Sequence, residues 1–130
     1  MKLVVFGLTV SSSWGNGHAT LWRALGRALG ARGHELVFFE RDVPYYAAHR
    51  DGHWFPGITV ELYADLTDLR IRARRELASA DVAMVTSFCP EGAAICALVL
   101  DSPAAVRVFY DLDTPVTMAA LDGDEAKNAA

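Results

Sequence analysis

Five short runs rich in β-branched and aromatic residues alternate with longer stretches of helical spacing. This alternation constrains the fold more than any single motif does. Lys2 to Leu8 reads as a buried strand, because its apolar residues show no polar alternation. Glu35 to Glu40 (ELVFFE), Ile58 to Tyr63, Asp81 to Ser87 (DVAMVTS) and Ala105 to Asp111 (AVRVFYD) read as four more. Ala19 to Arg32 has helical spacing, with Leu21, Leu25, Ala28 and Leu29 on one stripe and Gly33 where a C′ glycine ends a helix. Pro44 opens a short helical turn through Tyr45, Tyr46 and His49, and Gly52 to Gly57 is a loop. Thr67 to Ala80 turns Leu69, Ala73 and Leu77 to one side and its arginines outward. Pro90, as an N1-type proline, starts a helix ending near Asp101, and Thr114-Pro115 opens a last, short one.

Strands that alternate with helices form a parallel sheet with right-handed crossovers. The expected architecture is an α/β, Rossmann-like doubly wound sheet of five strands in the order 3-2-1-4-5, in three α/β/α layers. Residues 1–121 then make one domain. Residues 122–130 read as a polar tail, too little chain to cover the sheet after the fifth strand, so that either the protein is truncated or something else covers that face.

With 52% hydrophobic and 22% charged residues, the chain has an ordinary globular composition. Its net charge of −4 argues against a non-specific nucleic-acid binder, which needs surplus Lys and Arg. No run reaches the roughly 18 apolar residues of a membrane span. The opening apolar stretch is too short for a signal peptide, so the expected location is the cytoplasm. Cys89 and Cys96, placed on one helix by this reading, are about 10 Å apart along the axis, too far for a disulfide. They match no zinc spacing and read as small apolar residues.

In such folds ligands bind beyond the carboxyl ends of the strands, where strand order reverses, here between strands one and four. That places Thr9, Ser11, Ser12, Ser13, Asn16, Gly17 and His18 near Thr86 and Ser87 from strand four and Asp111, Asp113 and Thr114 from strand five. The Tyr45–Arg50 cluster follows strand two. No metal-like ligand set emerges from these residues. A dinucleotide site requires G-x-G-x-x-G directly after the strand. Here Gly15-Asn16-Gly17 follows a long loop, and Thr20 stands in place of the third glycine. Glu40, ending strand two, is well placed to hold a ribose, so an NAD(P)-binding oxidoreductase domain stays as the alternative, with a flavodoxin-like binding module as a third class.

The longer loop suits a hydroxyl-rich ligand. Gly15 and Gly17 let the backbone approach closely, while Ser12, Ser13 and Asn16 offer hydrogen bonds. Trp14 either stacks on a sugar ring or packs beneath the loop. His18, at a helix N-terminus, is kept neutral by the dipole and reads as either a general base or a local cap. Asp111 could orient a histidine or bind a substrate hydroxyl, whereas Asp113 or Thr114 reads first as a helix cap. Tyr45 and Arg50 either line an acceptor pocket or belong to a half-exposed loop.

Four strings, FGLTVSSSWGNGHATLWRALGRAL, GHELVFFERDVPYYAAHRD, ADVAMVTSFCPEG and RVFYDLDTPVT, together resemble the amino-terminal domain of bacterial GT-B glycosyltransferases of the spore-maturation (CgeB-like) group. The resemblance implies transfer of a sugar from a nucleotide-diphosphate donor to a small-molecule or glycan acceptor, with no cofactor and no required metal. It further implies that the amino-terminal domain shapes the acceptor side, so Gly15, Asn16, Gly17 and His18, with Asp111 and Asp113, face the cleft between domains. The carboxyl-terminal domain that holds the donor is missing from the 130 residues, so the chain alone is expected to be inactive. Uncovered sheet surface makes self-association a further expectation.

Overall fold

The computed structural model describes residues 1–112 and 114–129, with side chains as far as residue 122. The five apolar runs form β1 (Lys2–Gly7), β2 (Glu35–Arg41), β3 (Ile58–Tyr63), β4 (Val82–Thr86) and β5 (Val106–Tyr110). Between and after them lie α1 (His18–Ala31), α2 (Pro44–Ala47), α3 (Leu66–Leu77), α4 (Gly92–Leu100) and α5 (Thr114–Ala129). The sheet is parallel throughout in the order β3-β2-β1-β4-β5, a Rossmann-like α/β fold as expected. β1 sits at its centre, and the order reverses between β1 and β4.

Side chains alternate between the two faces of the sheet. On one face Val4, Phe6, Val37, Phe39 and Tyr63 pack against Leu69, Ala73 and Leu77 of α3 and Ile95 and Val99 of α4. On the other, Val5, Leu36, Phe38 and Ile58 meet Trp22 of α1 and Val10 of the first loop. Burying each large apolar side chain contributes about 1.5–3 kcal/mol, so these two clusters supply the main driving force for the fold.

The face that α1 buries differs from the leucine stripe. Ala19, Trp22 and Gly26 turn inward, while Leu21 and Leu25 stay 40% and 37% exposed. The cause is a glycine contact. A Cβ at Gly26 would stand 2.2 Å from Ile58 Cγ1, and one at Gly57 would stand 2.0 Å from the Gly26 carbonyl oxygen. Only where both lack a side chain can α1 approach the start of β3 so closely. Trp22, one turn away, then packs over Phe38 with ring centroids 5.6 Å apart.

The start of α4 also differs from the proline signal. Phe88 (φ 65°) and Glu91 (φ 57°) are left-handed, so a right-handed helix can begin only at Gly92, beyond Pro90. Cys89 therefore lies in the loop ahead of α4 rather than on it, and both cysteines are free. Burial pushes the Cys89 thiol up to about 12 and raises Cys96, which leaves both thiols unreactive near neutral pH.

The last helix is longer than the short piece expected, yet Val116, Met118 and Leu121 on it stay about half exposed. Val106, Phe109 and Tyr110 on the edge strand β5 are similarly exposed. No helix among the described residues is long and apolar enough to cross a membrane.

Candidate functional site

The loop between β1 and α1 is built around one carboxylate. Glu40, at the end of β2, is fully buried. Its Oε1 accepts from Thr9 Oγ1 at 2.9 Å, the Val10 amide at 2.6 Å and the Ser11 amide at 3.0 Å. Its Oε2 accepts from Ser11 Oγ at 2.6 Å, and Arg50 Nη2 stands 3.9 Å away. A buried charge is tolerated only when paired and hydrogen-bonded, and here the loop itself provides the donors. Glu40 is thus committed to the protein and is not placed to hold a ribose, which removes the main support for a dinucleotide site.

Two further loop residues read as ligand contacts are structural. Ser12 is fully buried, donating to the His49 carbonyl at 2.7 Å and accepting from the Trp14 amide at 3.2 Å. Asn16 Oδ1 accepts from the His18 and Ala19 amides, closing the start of α1, while Nδ2 donates to the Ser12 and Trp14 carbonyls. Those two amides are therefore taken by Asn16 instead of a ligand.

Trp14 does not pack beneath the loop. It is 51% exposed and lies flat on His49, with centroids 4.0 Å apart and planes 7° from parallel. Tyr45, also exposed, meets His49 and Tyr46 edge-on. Its hydroxyl would stand 3.0 Å from a Cβ at Gly15, whose φ of 65° already favours glycine. Gly17 has open space around it. The Ser13 amide donates to Asp51 Oδ2 at 2.9 Å, and Arg23 Nη2 donates to the same oxygen at 2.8 Å. Hydrogen bonds from Arg23 and then Ser13 hold the Asp51 carboxyl down at about 2. Arg50 is mostly buried, donating to Ser11 Oγ and to Asp42 Oδ1 at 2.7 Å, so it braces the loop more than it faces outward.

A second cluster gathers around the switch point. His18 opens α1 and meets Phe88 edge-on, with centroids 5.8 Å apart. Burial lowers its pKa below the ordinary 6.5, so the imidazole is neutral at pH 7. Its Nδ1 is buried without a hydrogen bond to any described group, as is Thr86 Oγ1. Thr86 borders Gly7, where a Cβ would meet both Thr86 Oγ1 (3.2 Å) and the Phe38 ring (2.6 Å). Ser87 is buried, with Oγ accepting from the Leu112 amide at 2.7 Å. Asp111 Oδ1 accepts from Thr117 Oγ1 at 2.8 Å, at the start of α5. Asp113 lies outside the described residues. Phe88, Cys89, Cys96, Phe109, Val116 and Leu121 line a groove of about 430 Å³ between α4, β5 and α5.

The candidate residues therefore form two groups, Trp14–Tyr45–His49 above the first loop and His18–Thr86–Phe88 at the switch point. Glu40 as loop anchor and Asp51 beside Trp14 escape sequence reasoning, although a carboxylate ending a fully apolar strand is a signal for the first. Among the described residues no group of three or more His, Cys, Asp or Glu could hold a metal ion. Fold and site define a Rossmann-like α/β domain with a long, carboxylate-anchored first loop. Comparison with protein-family models, curated proteins and solved structures finds no match for the chain.

Proposed function

We propose that the chain is the acceptor-side half of a sugar-transfer enzyme, with His18 as the general base. The observation that carries this is the state of His18: its pKa lowered by burial, at a helix N-terminus and at the switch point, with Nδ1 buried so that Nε2 is the nitrogen left to meet an acceptor. A neutral imidazole can take the proton of an acceptor hydroxyl as that oxygen attacks the anomeric carbon of a nucleotide-diphosphate sugar. The nucleotide diphosphate leaves with the bonding electron pair. The donor sits on a second domain, and the chain alone does not turn over.

The pH sense follows from the lowered pKa. Transfer falls as acid protonates His18, with the fall lying at lower pH than for an ordinary imidazole because burial lowers its pKa. The deciding experiment places His18→Ala in a complete two-domain enzyme carrying the same first loop. Turnover there should drop about 10²–10⁴-fold with KM for the acceptor little changed. Near-normal turnover excludes His18 as the base, and tight NADH binding by the present chain, followed by tryptophan fluorescence, would favour an oxidoreductase domain instead.

A further inference from the structure

We infer that the Trp14–His49 stack is a binding platform for the pyranose ring of a neutral saccharide, which would be the acceptor. This rests on the sugar-transfer reading for the word acceptor, but the binding itself needs only the platform.

An exposed tryptophan on a loop ordinarily loses side-chain freedom on contact, and that loss opposes binding. Here the ring is already fixed. The buried Ser12 hydroxyl ties the Trp14 amide to the His49 carbonyl, and Asn16 Nδ2 holds the Trp14 carbonyl at 3.0 Å. The Asp51 amide donates to the Ser11 carbonyl at 2.8 Å, so the segments bearing the two rings are stitched together. His49 backs the indole on one side, and Trp14 remains half exposed. An aromatic face carries negative potential, which attracts the polarised C–H groups lining one side of a pyranose.

Charge around the platform selects among flat ligands. Arg23 is paired with Asp51 and Arg50 with Asp42 at 2.8 and 2.7 Å, so neither cation is left over for a phosphate. Asp51 stays ionised throughout the working pH range and lies two residues from His49. Arg23 is further held over the Phe55 ring at 4.4 Å and on the Val10 carbonyl at 2.9 Å. A fixed, neutralised Arg23–Asp51 pair, held on the Ser13 amide one residue before Trp14, suits uncharged hydroxyls, whereas a nucleotide brings charge that nothing here offsets.

The test uses the ¹⁵N-labelled 130-residue chain, titrated to tens of millimolar with cellobiose, maltose, lactose and diacetylchitobiose. At least one should shift the Trp14 indole resonance and the amides of 13–16 and 49–51. Trp14→Ala, folded by circular dichroism, should weaken that binding about tenfold or more. Trp54→Ala, at a tryptophan 77% exposed outside the cluster, should bind as the parent does. No shift with any saccharide, undiminished binding by Trp14→Ala, or tighter binding of uridine monophosphate at Trp14 overturns the inference. If saccharides fail to bind while His18→Ala abolishes transfer in the two-domain enzyme, the platform falls and the sugar-transfer reading stands. Saccharide binding at Trp14 together with near-normal turnover by His18→Ala in the two-domain enzyme separates them the other way.

Discussion

Glu40 carries more of the site's geometry than any residue that faces solvent. Three loop donors and a serine hydroxyl converge on it, with Arg50 behind. Glu40→Ala strands those donors in a buried pocket, so it should cost about 3–5 kcal/mol in urea unfolding. A loss under about 1 kcal/mol would mean that water replaces the carboxylate readily. In the sequence Glu40 stands where a ribose-binding carboxylate belongs. What decides its role is the path of residues 9–11, and no local pattern encodes that path. His18 was legible by position alone. The helix N-terminus already pointed to a neutral imidazole, and the packed molecule adds burial as the cause that lowers its pKa.

At the scale of elements, the strands were legible nearly to the residue because unbroken β-branched and aromatic runs have few other places to go. The inward face of α1 was not. Leucine spacing marks one stripe, but the glycines at 26 and 57 permit a closer approach on another, and contact distance outweighs hydrophobicity at the stripe. Two substitutions separate these alternatives by thermal unfolding. Gly57→Ala forces a Cβ into the Gly26 carbonyl at a φ of 78°, and should destabilise by about 3 kcal/mol. Leu25→Lys, on the exposed side of α1, should stay within about 0.5 kcal/mol of the parent. The start of α4 was illegible for a different reason, since left-handed Phe88 and Glu91 are not glycines and are held by tertiary contacts, His18 against the Phe88 ring and Arg41 on the Glu91 carboxylate.

For the whole molecule, the sheet is well covered over β1 and β2 and thinly covered at β5. Among the described residues β5 pairs with β4 alone, and Val106, Phe109 and Tyr110 on it are exposed, a pattern that favours strand-to-strand aggregation. A charge on that edge should oppose it. Val106→Lys is expected to raise the concentration at which light scattering first climbs, with the melting temperature almost unchanged. An unchanged threshold would place the sticky surface elsewhere, with α5 the next to examine.

Because the amides of Val10 and Ser11 end on a carboxylate rooted in β2, the floor of the first loop opens only when the sheet does. The side chains of this region left exposed include Ser13, Trp14 and Tyr45, none of which is bonded to Glu40. Those positions can change their chemistry without disturbing the domain beneath. The rim of the loop is thus decoupled from the architecture that holds its floor.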